Sequence, residues 1–217
     1  MINVLNISLA NAVDFPRDKE HDYDPPTPGS YNLPVIRPAT GGGLVDSTGK
    51  SVDLRELVHG RITVLSFIYT RCAAGRACPY ATNMLGQLHI ASGEDPALAK
   101  GMRLVSLSFD PDYDTPPRLA AYAEAVRETK QGCEWRFAAP KSEKELSVIL
   151  ASYGQVVDKR ADANDPQGPL YHILRVFLID RRGRVRNIYS STTLDPRLLL
   201  GDVKTLMLEE AREASAK

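Results

Sequence analysis

Residues 62–80 read Ile62-Thr63-Val64-Leu65-Ser66-Phe67-Ile68-Tyr69-Thr70-Arg71-Cys72-Ala73-Ala74-Gly75-Arg76-Ala77-Cys78-Pro79-Tyr80. The β-branched run from Ile62 to Ile68 is of the kind found in a strand covered on both faces. It leads directly into a loop with two cysteines. Pro79 then opens a helix to about Ile90, with Met84, Leu85 and Leu88 at helical spacing. Strand, cysteine loop and helix follow in the order that sets a cysteine at a helix N-terminus, where the dipole and free N–H groups lower a thiol's pKa. Proline at the first helical position puts Cys78 at or near the N-cap and Cys72 at the exit of the strand, with both sulfurs at the same end of the sheet.

Downstream the pattern alternates. Arg103 to Phe109 reads as a strand and Pro116 to Arg127 as a helix. A short strand at Trp135 to Ala138 precedes a helix from Ser142 to Ala151, with Ser142 as cap and Glu145 at the capping-box position. Residues 153–171 read as a long polar loop. Two strands, Ile173 to Ile179 and Arg184 to Tyr189, flank the turn Asp180-Arg181-Arg182-Gly183, and Pro196 to Ala214 is a terminal helix. Upstream, Leu44-Val45, the turn at Asp46 to Gly49 and Ser51 to Leu54 form a small hairpin. Residues 13–40 carry six prolines, many charges and few apolar positions, and read as an extended arm along the surface. The fold class is therefore α/β, a central sheet with helices on both faces preceded by an arm and a hairpin. Residues 1–40 form the arm and residues 41–217 the domain.

A chain of 217 residues, 43% apolar and 25% charged, suits one globular domain with short tails. Lysine and arginine number 27 and so do aspartate and glutamate. With no field of one sign, bulk attraction to nucleic acid or to an anionic membrane is not supported. The apolar run at 62–68 is far short of the ~20 residues of a membrane-crossing helix. Residues 1–12 hold Val4, Leu5, Ile7 and Leu9 and end in Ala10-Asn11-Ala12, a small-x-small pattern without the positive start of a secretory signal. They read either as an ordinary N-terminus or as the remnant of an export signal. In the second case the mature chain begins near Val13 in an oxidising compartment.

Five residues separate Cys72 from Cys78. With a glycine to turn it, such a loop can bring the two α-carbons within the ~4.4–6.8 Å of a disulfide, or let both thiolates bind one metal ion. Arg71 and Arg76 flank the pair and would favour thiolate. The plain alternative is two buried core cysteines, and the spacing alone is not diagnostic, since redox and zinc motifs usually place two residues between cysteines.

Four segments carry a family likeness: Phe67-Ile68-Tyr69-Thr70-Arg71-Cys72; Ala77-Cys78-Pro79; Ser108-Phe109-Asp110-Pro111-Asp112-Tyr113-Asp114-Thr115-Pro116; and Tyr171-His172 followed by Val176 to Gly183. In this order, over about residues 29 to 212, the chain resembles the Sco/SenC family. These are thioredoxin-like, membrane-tethered or exported copper proteins associated with assembly of the CuA centre of cytochrome c oxidase. The resemblance implies a thioredoxin-like central mixed sheet. It implies copper, as Cu(I) or Cu(II), with Cys72, Cys78 and His172 at the positions of the family's ligands and Asp110 beside them. It also implies a periplasmic or membrane-tethered location and a protein partner receiving copper or electrons, such as cytochrome c oxidase subunit II. The family pattern has three residues between the cysteines where this chain has five, which marks a divergent branch.

The residues support this independently. Two thiolates and an imidazole form a soft, low-coordinate donor set suited to Cu(I). Zinc would want a fourth ligand, for which Asp110 or a water is the local candidate. His172 stands at the end of the 153–171 loop, at the start of a central strand, where it could close on a metal and withdraw. His21, His59 and His89 have no such context and are expected at the surface, with His89 on the outer part of a helix. Cys133 is expected to be a partly buried spare thiol. Asp110, Asp112 and Asp114 alternate as calcium ligands do, but lack the glycine and terminal glutamate of a binding loop. Asp114-Thr115-Pro116 reads as a helix cap, and Arg181, Arg182, Arg184 and Arg186 as a solvated turn.

Three functions compete: an exported copper carrier using Cys72, Cys78 and His172; a thiol–disulfide oxidoreductase using Cys72 and Cys78 as attacking and resolving thiols; and a peroxide-reducing or redox-sensing protein. A monomer that does not bind nucleic acid is expected.

Overall fold

The structure is a computed structural model that describes residues 15, 21–127, 131–162 and 164–216. The export-signal reading of residues 1–12 lies outside the described residues. In chain order the elements are β1 (Arg37–Pro38), β2 (Gly43–Asp46), β3 (Ser51–Asp53), α1 (Leu54–Leu57), β4 (Ile62–Ile68), α2 (Cys78–Gly93), α3 (Pro96–Gly101) and β5 (Met102–Ser108). They continue with α4 (Pro116–Val126), β6 (Glu134–Pro140), α5 (Glu143–Tyr153), β7 (Val157–Lys159), β8 (Leu170–His172), β9 (Val176–Ile179), β10 (Arg184–Tyr189) and α6 (Pro196–Ser215).

Eight strands form one mixed sheet in the order β1-β10-β9-β4-β5-β6-β2-β3. β4 is central, parallel to β5 along its whole length and antiparallel to β9. All seven of its residues are buried, the five apolar ones together with the small hydroxyl residues Thr63 and Ser66. Ser66, Ser106 and Phe137 lie side by side on one face of the sheet. There Tyr122 of α4 meets Phe137, and His89 of α2 meets Trp135. Phe67 points to the opposite face and stacks edge-on with Tyr153 of α5 and with Phe177. Helices thus cover both faces, as expected.

Several local expectations are corrected. The 153–171 stretch is not all loop: β7 and β8 pair as a separate two-stranded ribbon. His172 ends β8, and the central strand begins only at Val176. Ser142 caps α5 by accepting the Glu145 N–H, but the Glu145 carboxylate accepts the Gly43 N–H at 2.7 Å and so holds the hairpin instead of closing a capping box. His21 and His89 are buried, not at the surface. Burial pushes the His89 pKa down, and nearby Arg127 adds to this. The arginine turn is not simply solvated either. Arg186 is buried between Asp180 at 3.0 Å and Glu209 at 2.8 Å, Arg184 holds Asp180, and Arg181 and Arg182 reach Glu210 and Glu213 of α6.

The described part of the arm is fastened to α6 and to the sheet edge. Tyr31 and Tyr189 both donate to the buried carboxylate of Asp202 at 2.5 Å, Gly29 donates to Thr205, and the arm ends as edge strand β1 beside β10. No helix among the described residues is long and apolar enough to cross a membrane.

Candidate metal centre

Cys72 leaves β4 through Tyr69-Thr70-Arg71, and this exit is clamped. The buried carboxylate of Asp114 accepts from the Thr70 N–H at 3.0 Å, the Thr70 hydroxyl at 2.5 Å and the Ser108 hydroxyl at 2.6 Å. Asp114 therefore ties the exit of β4 to that of β5 and does not cap α4, whose N-cap residue Thr115 makes no side-chain cap bond. Ala73 donates to the Gln167 carbonyl at 3.2 Å, joining the cysteine loop to the segment before β8. α2 begins at Cys78 itself, with Ala77 as N-cap and Pro79 in its first turn.

His172 arrives from the ribbon. Its ring lies between Phe109 at 4.9 Å and Tyr69 at 5.7 Å, centre to centre, and its Nε2 is 3.3 Å from the Cys78 sulfur. The ligand atoms of Cys72, Cys78 and His172 all lie within 4.8 Å of one another. Tyr69, which in the sequence stands only within the Phe67 to Cys72 motif, has a task in the structure. Its hydroxyl stands 3.2 and 3.1 Å from the carbonyls of Gln167 and Leu170 and bonds the Cys72 sulfur. Gly168 makes room for it: at φ 101° a β-carbon there would come within 2.3 Å of the Tyr69 oxygen.

The two thiols are not alike. Cys72 is half-buried and its pKa falls to about 6. The hydrogen bond from Cys78 is the main cause, working against burial, with backbone N–H groups of Cys78 and Ala74 and the Tyr69 hydroxyl adding to it. Burial pushes the Cys78 thiol far up, and the neighbouring Cys72 thiolate adds to this. The backbone N–H at the helix N-terminus favours thiolate at both cysteines, but at Cys78 burial outweighs it. Burial, and then Arg160, lowers the His172 pKa to about 4, so the imidazole is neutral at neutral pH and free to donate a lone pair.

Arg71 turns away from the sulfurs, its guanidinium 2.6 Å from Asp110 and stacked on Tyr113. Arg76 lies over Tyr80 and donates to the Ser191 carbonyl. Asp110 accordingly faces Arg71, outside the cluster of three ligand atoms. Cys133 is fully buried beside the C-terminal end of α2, where its N–H donates to Ser92, and burial pushes its thiol up to about 11. All three cysteines are free.

Two sulfurs and one neutral imidazole nitrogen are a soft set that suits a monovalent copper ion. Their spacing is within reach of one ion with bonds of ~2.0–2.3 Å. A tetrahedral zinc site would need a fourth donor, and among the described residues no other histidine, cysteine or carboxylate joins the cluster.

A sequence model of the family described as SCO1/SenC matches residues 43–208. Comparison with curated proteins gives no match. Among solved structures the chain is similar to ScoI of Bradyrhizobium japonicum with copper bound, at 22% identity and a TM-score of 0.60, covering 75% of this chain and 96% of that one. It is also similar to a SCO1/SenC family lipoprotein from Bacillus anthracis, at 22% identity and a TM-score of 0.64, covering 79% and 94%. A third similarity is to BsSco, described as having a disulfide switch and as a member of the Sco family of cytochrome c oxidase assembly proteins. There the identity is 22% and the TM-score 0.61, with coverage of 81% and 96%. These likenesses establish a shared thioredoxin-like fold.

Proposed function

The chain belongs to the SCO1/SenC family, and from that premise we propose that it is a copper-binding protein that holds Cu(I) through Cys72, Cys78 and His172 and passes it to a protein partner. The observation that carries this reading is the convergence of two sulfurs and one nitrogen within 4.8 Å. The copper-bound state of the similar ScoI supports it. Bound in this way, copper is cargo for delivery, and the residues supply the hold. Cys72, already a thiolate near neutral pH, is the first donor. Cys78 must release its proton when the metal binds, because only thiolate ligates. His172 is neutral and set on a ribbon, so it adds a ring nitrogen with no net release of a proton. The thiols must be reduced, which makes oxidation of the pair a control on loading.

The recipient we propose is an oxidase copper centre such as that of cytochrome c oxidase subunit II, and the location an exported or membrane-tethered one facing the periplasm. BsSco's description as an oxidase assembly protein and the lipoprotein relative support these assignments. Anaerobic titration of reduced protein with Cu(I) tests the binding: saturation at one ion per chain is expected, and no saturable uptake would refute it.

The asymmetry of the two thiols favours one second reading. A half-exposed Cys72 thiolate backed by a buried, protonated Cys78 is the arrangement of an attacking and a resolving thiol. Dithiol exchange with a partner's disulfide would use this pair and leave His172 without a task.

A further inference from the structure

Beside the candidate centre lies a cleft of 580 Å³ between α5 and β7. Leu146 and Leu150 of α5 form one wall. The other is lined by Val157 and Lys159 from one face of β7 and by Asp158 from the opposite face, so the edge of the strand borders the cleft. β7 pairs only with β8. The Arg160 N–H donates to the Pro169 carbonyl at 2.9 Å, and the same register sets Lys159 opposite Leu170 and Val157 opposite His172. Bonded and non-bonded pairs alternate in an antiparallel ladder. Val157 and Lys159 therefore aim their N–H and C=O groups away from β8, and among the described residues these groups bond to no other element. An open edge of this kind is a template for an added strand.

Charge narrows the choice of occupant. Arg71 and Arg160 on the rim are neutralised by Asp110 and Asp165. Among the described residues Asp112, Glu143 and Asp158 have no ion pair, against Lys159 as the one such cation lining the cleft. The surplus is negative. The floor leads to the centre, because Phe109 lines the cleft and its ring touches His172 at 4.9 Å.

We infer that this cleft receives an extended, lysine- or arginine-bearing segment of the protein that exchanges metal or electrons with the centre, added as a third strand on the open edge of β7. Alternate apolar side chains of that segment meet Leu146 and Leu150, while its cations meet Asp112, Glu143 and Asp158. The segment's backbone completes the orphan groups of Val157 and Lys159. The identity of the visitor as an exchange partner rests on the function proposed above; the groove itself does not.

The test uses the full chain and a fluorescent seven-residue peptide that alternates lysine with valine. Its controls are the same peptide with glutamate for lysine, and the lysine peptide N-methylated at alternate backbone amides. The lysine peptide is expected to bind roughly tenfold or more tightly than either control, and to slow amide exchange at Val157 and Lys159 by a similar factor. Combining Glu143→Lys with Asp158→Lys should cost about tenfold in affinity. Equal binding of the lysine and glutamate peptides, undiminished binding of the methylated one, or binding without protection at Val157 and Lys159 would overturn the groove. Cu(I) titration of the same samples separates the two claims. Loss of peptide binding with copper uptake intact removes the groove alone, whereas peptide binding without copper uptake removes the metal function and leaves the groove standing.

Discussion

The Nε2 of His172 lies 3.3 Å from the Sγ of Cys78, although 94 residues separate them in the chain. Two anchors outside the pair hold them together. The Tyr69 hydroxyl bonds the carbonyls of Gln167 and Leu170, which fixes the segment that delivers His172. The Asp114 carboxylate fixes Thr70, which fixes the turn that delivers Cys72. The chemistry of the centre therefore depends on residues that supply no ligand.

The first expected outcome concerns thiol reactivity. In reduced, metal-free protein, Cys72 should react with iodoacetamide at a rate that rises through about pH 6, while Cys78 and Cys133 stay unreactive there. Mass spectrometry of the labelled chain measures this. A group with a depressed folded pKa stabilises the fold fully above its unfolded pKa, and that contribution is lost as pH falls through the folded one. For Cys72 it declines from the ordinary thiol pKa of 9.0 down to about 6. Equal labelling of all three cysteines at pH 7 would contradict the assignment.

His172 works in the same direction in a lower pH window. Its folded form resists protonation down to about pH 4, against an ordinary 6.5. The unfolded chain therefore takes up the proton first, and stability falls as pH drops from 6.5 towards 4. Replacing His172 with Asn should flatten this part of the stability profile without abolishing it, because buried His89, also depressed by burial, adds the same slope. Urea unfolding at several pH values measures it, and an unchanged slope in the variant would count against a buried neutral His172.

Asp114→Ala leaves the donors of Thr70 and Ser108 without their acceptor. A stability loss of about 2–3 kcal/mol is expected. Cu(I) uptake should weaken too, although Asp114 touches neither sulfur. Chemical denaturation and metal competition on one preparation read both effects. A variant as stable as the parent would show that Asp114 is not the clamp described above.

At Gly168 an added methyl group meets the Tyr69 hydroxyl, and the backbone stands at positive φ. Gly168→Ala should cost about 2 kcal/mol and loosen the ribbon. Tyr69→Phe should raise the Cys72 pKa by removing one of its hydrogen-bond donors. Thiol titration followed by ultraviolet absorbance checks the second effect, and an unmoved Cys72 would free Tyr69 of this role.

Legibility in the sequence followed the length and regularity of each signal. β4 was plain because seven buried residues in a row leave no other reading. The cysteine pair was plain because Pro79 marks where the helix starts. The ribbon was hidden: Val157 to Lys159 and Leu170 to His172 are three residues each, too short for alternation to stand out in a polar stretch. Asp114 looked like a cap because capping and clamping use the same residue type in the same local sequence, and only the distant Thr70 distinguishes them. Buried His89 was misread because its partner Trp135 lies on another element. The attachment of Tyr31 to Asp202 spans 171 residues and leaves no local trace.

The most direct measurement is the Cu(I) affinity of reduced parent and His172→Ala proteins, found by competition with a chromophoric chelator, together with the reduction potential of the Cys72–Cys78 pair in each. The expected result is an affinity lower by roughly tenfold or more in the variant, with the dithiol potential almost unchanged. Equal copper affinity in the two proteins would contradict a centre built from two sulfurs and the imidazole of His172.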